Sequence, residues 1–313
     1  MSDPTLPFDR ICVTGGSGLL GRFVVRELAQ DTVVTVLDLK APEPGHAFVE
    51  ANVLDIGAVR RTLAGQQAVV HLAALDAGTT EVEEDYLRVN VQGTWNVLQA
   101  AEELGIARVV VCSSVAAVGL AGDNPALYLP IDADHPSRPV SAYAISKLAL
   151  EVLARGMAER GGLEVICLRP SLVAQAEIAW SMGQKAAEQD GQEPPPPANG
   201  PGWRELREAL SPTRAFVSPG DVARAFRAAL AAPGLRFGTF FVTAADTCTR
   251  LPTAEAVTRG FGHAPELRQA AVYADNPCAS AYDIATTRDV LGWEPRDTWS
   301  AYLDRVIAAG RRP

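Results

Sequence analysis

The segment ICVTGGSGLLGRFVVREL places Gly15, Gly18 and Gly21 between an apolar, β-branched run and a second apolar run at helical spacing. This order predicts a strand, a tight turn and a helix. One glycine in such a turn permits the tight bend, one permits close approach of a pyrophosphate, and one lets the helix pack on the strand. The start of the helix offers unpaired N–H groups to an anion. The segment therefore predicts a dinucleotide-binding turn. Its other expected contact residues are Ser17, Leu19 and Leu20.

The first acid after this turn is Asp38, at the end of the run VVTVLD. A carboxylate about 20 residues after the turn can accept hydrogen bonds from both ribose hydroxyls of adenosine, and it repels a 2′-phosphate. NAD is therefore favoured over NADP, although Lys40 and Arg22 lie nearby. Asn52 and Val53 follow the third predicted strand. A side chain at this place can contact the edge of the adenine, or the two residues can belong to a loop that binds no ligand.

Up to residue 170 the chain alternates short β-branched runs with longer segments that have helical apolar spacing. Such alternation is typical of repeated strand-helix-strand units around a parallel sheet. The predicted strands are 10–14, 33–38, 46–50, 68–72, 107–113 and 163–168, and the predicted helices are 18–29, 56–64, 81–104 and 141–160. We expect an α/β fold in which residues 1–170 form a doubly wound, Rossmann-type parallel sheet with helices on both faces.

The second half of the chain is less regular. Residues 174–213 show little periodicity and contain EPPPPANGPG, a cluster that does not hold a regular helix or ladder, so we expect an irregular insertion that forms an exposed loop or lid. The elements predicted after it are a helix at 219–231, a strand at 237–245 and a helix at 299–309. We expect 219–245 to return to the first domain and the remainder of 171–313 to form a smaller substrate-binding region.

Composition narrows the classes of function. The chain has 313 residues and a net charge of −9 without a basic stripe, so nucleic acid is not an expected partner. It contains no apolar run near the ~18 residues that span a bilayer, and its start does not resemble a signal peptide. We therefore expect a cytoplasmic protein without a membrane segment. The five cysteines and four histidines show no metal-ligand spacing. His71 is expected to be a hydrogen-bonded core residue.

The segment VSAYAISKLAL places Tyr143 and Lys147 one helical turn apart. A phenol has an ordinary pKa of about 10, and a nearby cation favours the phenolate. The pair can therefore accept the proton of an alcohol that loses hydride. Alternatively, the Tyr143 ring packs on the aliphatic part of the Lys147 side chain and has no catalytic role. A second segment, RVVVCSSV, ends a predicted strand in Ser113 and Ser114. Ligands of open parallel sheets bind at the carboxyl ends of the strands, where these hydroxyls can contact a substrate.

Taken together, these motifs resemble the extended short-chain dehydrogenases/reductases of the NAD-dependent epimerase/dehydratase family, from Arg10 to about Trp299. The matching segments are TGGSGLLG, Asp38, VVHLAA, VNVQGTWNVLQAA, CSS, YAISK, LRP, RAFVSPGDVARA and LGWEP. The resemblance implies that Ser114 orients the reacting oxygen and that Tyr143 is the acid/base. It also implies that Lys147 binds the nicotinamide ribose and lowers the pKa of Tyr143.

Further roles follow from the resemblance alone. It implies that the cofactor path includes Leu72, Ala73, Ala74 and Pro170, and that Asn90 supports the site from the helix beneath. Arg214 stands where nucleotide-sugar 4-epimerases of the family hold the diphosphate of the substrate. A homodimer through helices 81–104 and 141–160 is also implied.

Departures from the family pattern narrow the reaction. Val115 and Ala116 follow Ser114, where dehydratases of the family carry Asp-Glu, so a dehydratase is disfavoured, as is a sugar-acid decarboxylase. Leu172 and Tyr273 stand where nucleotide-sugar enzymes carry an asparagine and a second arginine. The first interpretation is an NAD-dependent oxidoreductase acting on a secondary alcohol of a sugar, sugar acid or nucleotide sugar. The alternatives are a nucleotide-sugar 4-epimerase with tightly bound NAD and a non-catalytic NAD sensor.

Overall fold

The computed structural model describes residues 3–193, 195 and 210–310. Its strands in chain order are β1 (Arg10–Thr14), β2 (Val33–Asp38), β3 (Ala47–Glu50), β4 (Ala68–His71), β5 (Arg108–Cys112), β6 (Tyr128–Leu129), β7 (Glu164–Pro170), β8 (Leu172–Val173), β9 (Phe216–Val217), β10 (Phe237–Val242) and β11 (Glu266–Leu267).

The helices alternate with these strands. They are α1 (Gly21–Leu28), α2 (Ile56–Leu63), α3 (Glu83–Tyr86), α4 (Gly93–Glu103), α5 (Ala142–Arg160), α6 (Ala176–Asp190), α7 (Pro219–Ala231), α8 (Thr253–Phe261), α9 (Ala270–Asp275), α10 (Ala285–Leu291) and α11 (Trp299–Gly310). A π-helical segment (Leu87–Gln92) joins α3 to α4, and a 3₁₀ turn (Val115–Val118) follows β5.

A seven-stranded parallel sheet in the order β10-β7-β5-β4-β1-β2-β3 forms the centre of the fold. Because β1 pairs with both β2 and β4, the chain winds away from β1 in both directions. In doubly wound sheets the crevice beside this reversal, at the carboxyl ends of the strands, is the usual ligand site. The predicted α/β fold is confirmed.

Alternate residues of the central strands pack into two apolar layers. Ile11 and Val13 of β1 lie in a cluster with α1 and α7, whereas Cys12 between them lies in a cluster with α2, α4 and α5. Successive side chains of a strand point to opposite faces, so a strand that is covered on both faces is apolar throughout. The helices therefore cover both faces of the sheet, as the sequence predicts.

Three predicted elements differ most clearly from the structure. The first helix begins at Gly21 rather than at residue 18, because the glycine turn extends to Leu20. The helix predicted at 81–104 is divided by the π-helical segment. The strand predicted at 237–245 ends at Val242.

The prediction of an irregular insertion at 174–213 is wrong for the first half of that segment, where α6 forms a helix from Ala176 to Asp190. This helix packs on α11 in a separate apolar cluster, in which Ala179, Met182 and Ala186 contact side chains of the C-terminal helix. Its buried face consists largely of small residues, which give a weak helical period in the sequence. Most of the proline and glycine cluster lies outside the described residues.

The segment after α6 returns to the central sheet. Helix α7 packs on α1, and β10 pairs in parallel with β7 at the sheet edge. The short parallel pairs β8/β9 and β6/β11 lie outside the main sheet. The domain boundary at residue 170 stays a prediction. In the described part of the chain, every helix is too short or too polar to cross a bilayer.

Candidate active site

The glycine turn after β1 has the geometry that its three glycines predict. Gly15 has a positive φ of 73°, and a Cβ there would lie 2.6 Å from the backbone nitrogen of Ala73. A Cβ on Gly21 would collide with the Gly15 carbonyl oxygen, so α1 can pack on the turn only with glycine at this position. At Gly18 a Cβ would make one tight contact, at 3.2 Å with that same oxygen, and would have no other such neighbour within 4 Å in the described residues.

Asp38, at the end of β2, is joined to the glycine turn. Its Oδ2 accepts a hydrogen bond from the Ser17 N–H at 2.9 Å, and its Oδ1 accepts one from the Leu39 N–H at 2.7 Å. The Ser17 hydroxyl donates to the Lys40 carbonyl oxygen at 2.6 Å. The carboxylate is thereby held beside the turn, where a ribose contact stays a prediction.

The two residues predicted near the adenine differ in environment. Val53 is 5% exposed and packs against Gly93 at the start of α4. Asn52 is exposed, and its Oδ1 accepts a hydrogen bond from the Leu54 N–H at 3.0 Å. Val53 thus packs in the core, and Asn52 turns the loop at the surface.

Tyr143 and Lys147 lie in the first turns of α5. Ser141 caps this helix, because its hydroxyl accepts from the Ala144 N–H. Lys147 is 3% exposed, and its Nζ donates to the Cys112 carbonyl oxygen at the end of β5 at 2.9 Å. The same Nζ lies 5.6 Å from the centre of the Tyr143 ring. The two side chains are neighbours, with the cation over the ring.

Ser114 and Asp76 are the two polar side chains that most affect the ionisation of the Tyr143 hydroxyl. Burial, followed by the negative charge of Asp76, raises the pKa of Tyr143 well above its ordinary value, and the hydrogen bond with Ser114 acts in the opposite direction. The net shift of this pKa is upward, because burial and Asp76 outweigh the effect of Ser114. The expected lowering by Lys147, whose ammonium donates to the backbone of β5, stays a prediction.

The two serines after β5 have different environments. Ser114 caps the 3₁₀ turn, accepts from the Ala116 N–H at 3.1 Å and stays half-buried beside the Tyr143 hydroxyl. Ser113 is 2% exposed, and its hydroxyl donates to Glu151 Oε1 at 2.5 Å. Ser113 was expected to contact a substrate, but its side chain points into the interior.

Glu151 and Arg169 form a buried ion pair behind the site that the sequence analysis missed. Arg169 Nε donates to Glu151 Oε1 at 2.8 Å and a second guanidinium nitrogen donates to Oε2 at 2.7 Å. With Ser113, this pair ties α5 to the ends of β5 and β7. A signal was present, because Glu151 follows Lys147 by one more helical turn on an otherwise apolar face.

Asn90 lies in the π-helical segment and is 1% exposed. Its Oδ1 accepts from the Leu75 N–H at 2.7 Å, and its Nδ2 donates to the Leu75 carbonyl oxygen at 3.1 Å and to Ser146 Oγ at 3.0 Å. Asn90 therefore fixes the loop after β4, which carries the predicted cofactor-path residues Leu72, Ala73 and Ala74. Single π-turns in helices occur frequently at functional sites.

His71 is part of a buried hydrogen-bond chain between β1 and α4. Its Nδ1 lies 2.7 Å from Thr14 Oγ1 and its Nε2 lies 3.0 Å from Thr94 Oγ1. Burial, followed by the charge of Lys147, lowers the pKa of His71 to about 3. The residue is neutral and hydrogen-bonded in the core, in agreement with its predicted role.

Arg214 is already paired with a carboxylate. Its guanidinium contacts Asp190 at the end of α6 at 2.8 and 3.3 Å, and it donates to the carbonyl oxygens of Leu210 and Ser211. Arg214 is 6% exposed. The guanidinium that was predicted to bind a diphosphate is thus paired with the Asp190 carboxylate. The sequence did not indicate this pairing. Pro170, the last cofactor-path residue, is buried at the end of β7.

Within the ranges that the structure describes, no group of three or more His, Cys, Asp or Glu side chains is placed to hold a metal ion.

Comparisons with known proteins agree with this geometry. The model of the NAD dependent epimerase/dehydratase family matches residues 11–237. An L-arabinose 1-dehydrogenase (NAD(P)(+)) of Haloferax volcanii is 37% identical over 171 residues, which cover 51% of this chain and 65% of that protein. A uronate dehydrogenase of Pseudomonas putida is 30% identical over 171 residues, covering 53% of this chain and 61% of that protein. The chain thus spans less than two thirds of the length of these relatives.

A solved short-chain dehydrogenase/reductase superfamily protein of Agrobacterium tumefaciens with bound NAD superposes with a TM-score of 0.71 and 25% identity, covering 96% of this chain and 97% of that one. Because the family model extends from β1 to the start of β10 and includes Tyr143 and Lys147, the chain belongs to the NAD dependent epimerase/dehydratase family.

Proposed function

We propose that this chain is an NAD-dependent oxidoreductase that moves hydride between NAD and a secondary alcohol of a sugar or sugar-like substrate. The observation that carries the proposal is the meeting of the Ser114 and Tyr143 hydroxyls at the carboxyl edge of the sheet, with Lys147 beside the ring. A positioned acid/base beside a second hydroxyl is what proton transfer to or from an alcohol needs.

The residues present fit a dinucleotide. Gly18 and the first N–H groups of α1 suit the pyrophosphate, and Asp38 suits the adenosine ribose. Lys147 is proposed to bind the nicotinamide ribose. When bound, the nicotinamide supplies the hydride acceptor or donor.

In the proposed reaction, Ser114 holds the substrate oxygen and Tyr143 exchanges a proton with that oxygen. Because burial and Asp76 raise the pKa of Tyr143, the phenol holds its proton near neutral pH when only protein groups act on it. A protonated phenol suits proton donation to a carbonyl oxygen, which is the reductive direction. Alcohol oxidation instead requires the phenolate and is favoured at higher pH.

A dehydrogenase is favoured over a nucleotide-sugar epimerase by the environment of two residues. The Arg214 guanidinium is paired with Asp190 in the interior, and Tyr273, at the position of a second diphosphate arginine, donates its hydroxyl to the Ser280 carbonyl oxygen at 3.1 Å. Neither residue offers a free cation to a diphosphate. A substrate without a nucleotide suits this arrangement better.

We also propose that the chain forms a homodimer through α4 and α5. These helices and the π-helical segment present an open, largely apolar groove, beside which Val152 is 64% exposed. The residues that line the groove are Leu87, Arg88, Val91, Gln92, Trp95, Ala149 and Leu153. Contiguous exposed apolar surface of this kind marks an interaction site, and a two-fold axis would cover the same groove on both copies.

The deciding experiment uses the purified chain with free sugars, sugar acids and nucleotide sugars, each with and without added NAD. We expect NADH to accumulate with at least one substrate that has no nucleotide, as followed by its near-ultraviolet absorbance. Interconversion of two epimers without net NADH would replace the dehydrogenase with an epimerase. Binding of NAD without turnover of any substrate would instead indicate a sensor.

A further inference from the structure

His71, at the end of β4, links two parts of the site that are far apart in the chain. Its Nδ1 lies 2.7 Å from Oγ1 of Thr14, the last residue of β1 before the glycine turn, and its Nε2 lies 3.0 Å from Oγ1 of Thr94 on α4. Each of the three side chains is at most 3% exposed. Because bulk water does not compete for these hydrogen bonds, each proton in them has a definite position.

The hydroxyl of Thr94 determines which ring nitrogen of His71 carries the proton. This hydroxyl donates to the Asn90 carbonyl oxygen, four residues earlier in the chain, at 2.5 Å. A hydroxyl has one proton, so the Thr94 oxygen can only accept from His71, and Nε2 is the donor. Because the buried ring is neutral, Nδ1 is an acceptor and takes the proton of the Thr14 hydroxyl.

The hydrogen bonds continue from both ends of this link. At the glycine turn, Thr14 Oγ1 accepts from the N–H of Ala73, in the loop after β4, at 3.4 Å. At the other end, Asn90 Nδ2 donates to Ser146 Oγ at 3.0 Å, and the Ser146 hydroxyl donates to the Tyr143 carbonyl oxygen at 2.7 Å. A continuous path thus runs from the glycine turn to the helix that carries Tyr143, and every donor in it points toward that helix.

We propose that His71 and Thr94 are positioning residues, which fix the glycine turn relative to the helix that carries Tyr143. Hydride and proton transfer need the nicotinamide and the acid/base to keep one relative position, and a displacement of about 1 Å is enough to slow such a reaction strongly. The glycine turn and Tyr143 belong to different elements, which these two side chains join. The inference rests on the proposed function and adds two residues to it.

A second buried threonine provides a matched control. Thr62 on α2 donates to the Ala58 carbonyl oxygen, four residues earlier, at 2.9 Å, as Thr94 does to Asn90. The two threonine side chains are similarly buried, at 6% and 1% exposed. Thr94 also bonds to His71 and through it to β1, whereas the bond of Thr62 stays within its helix. Valine at either position removes the local bond, so a difference in activity between the two variants reports the link through His71.

The kinetic test uses L-arabinose, D-galacturonate and UDP-glucose with NAD. With each substrate that reacts, we expect Thr94→Val to lower kcat by at least ~10-fold, while the Kd for NAD stays within ~3-fold of the wild type. Thr62→Val should lower the melting temperature by a similar amount and keep the kcat of the wild type. His71→Gln retains a donor to Thr94, so it should keep a higher kcat than His71→Leu, which retains neither bond. This second pair gives the same comparison if Thr94→Val does not fold.

Nitrogen-15 NMR of the wild-type chain locates the proton without any turnover. We expect His71 to carry its proton on Nε2, to have a proton-free Nδ1 and to show no titration between about pH 5 and 8, where an ordinary histidine titrates. A proton on Nδ1 overturns the direction of the hydrogen bonds and the proposal with it.

The kinetic outcomes separate two kinds of failure. With an active wild-type chain, a normal kcat in Thr94→Val, or an equal loss of kcat in Thr62→Val, overturns the positioning role and leaves the oxidoreductase intact. Equal kcat in His71→Gln and His71→Leu has the same meaning. If the wild-type chain turns over none of the three substrates, the positioning role is rejected together with the oxidoreductase.

Discussion

The carboxamide of Asn90 makes both backbone hydrogen bonds of Leu75, accepting from its N–H at 2.7 Å and donating to its carbonyl oxygen at 3.1 Å. This contact joins the π-helical segment to the loop after β4, and a third bond to Ser146 joins it to the helix that carries Tyr143. The geometry of the site therefore depends on a residue that lies beneath it.

Replacing Asn90 with alanine removes a partner from the half-buried backbone groups of Leu75 and from the buried Ser146 hydroxyl. We expect Asn90→Ala to lower the free energy of unfolding by about 1–3 kcal/mol, the cost of an unsatisfied buried polar group. Urea denaturation measures this loss. Gln99→Ala is a matched control, because its amide makes an exposed hydrogen bond to Glu103 on α4, and it should cost less than ~0.5 kcal/mol. Equal losses in both variants would contradict the structural role of Asn90.

Removing the hydroxyl of Tyr143 tests the acid/base directly. We expect Tyr143→Phe to lower kcat by at least ~10²-fold, the scale of one positioned acid or base, while the Kd for NAD stays close to that of the wild type. Steady-state kinetics and a cofactor titration by fluorescence provide the two values. A variant with normal kcat would remove Tyr143 from the reaction.

The cofactor preference is expected to depend on Asp38. Asp38→Ala should weaken NAD binding more than NADP binding, because it removes an acceptor for the ribose hydroxyls and a charge that repels the 2′-phosphate. The Ser17 N–H also loses its acceptor, so some loss with both cofactors is expected. Calorimetric titration with each dinucleotide tests the difference. Equal weakening would show that Asp38 shapes the turn without selecting the cofactor.

The raised pKa of Tyr143 predicts a pH dependence with a definite sign. Alcohol oxidation needs the phenolate, so kcat/KM for oxidation should increase with pH through the alkaline range. In Asp76→Asn the negative charge that opposes ionisation is gone, so the midpoint of this increase should move to lower pH. Initial rates across a pH series in both proteins provide the comparison. A midpoint that moves upward would mean that the Asp76 charge does not act on the phenol.

The proposed dimer is expected to depend on the exposed face of α5. Wild-type chain should sediment as a dimer, and Val152→Asp should shift it toward the monomer, because a charge placed in an apolar interface stays desolvated without a partner. Val290→Asp places the same charge on exposed α10 and should leave the dimer unchanged. A monomeric wild-type chain in analytical ultracentrifugation would contradict the proposed assembly.

Local sequence patterns specified much of this fold. The three glycines after the first strand, the acid at the end of the second and the tyrosine one turn before lysine each follow from backbone sterics or helical spacing within a few residues. Apolar runs then identified the central strands, since strands buried on both faces lack polar residues. Helix α6 was not predicted because its buried face is formed largely of small residues, which pack against α11 and other distant parts of the chain.

The sequence by itself determined the alternation of strands and helices, the glycine turn and the pairing of Tyr143 with Lys147, because each depends on residues close together in the chain. The tertiary structure alone decided that Ser113 is turned inward to Glu151, that Arg214 is paired with Asp190, and that Asp76 lies near enough to affect the phenol. These contacts join segments that are 24 to 67 residues apart, and local propensity carries no information about which charges meet across such separations.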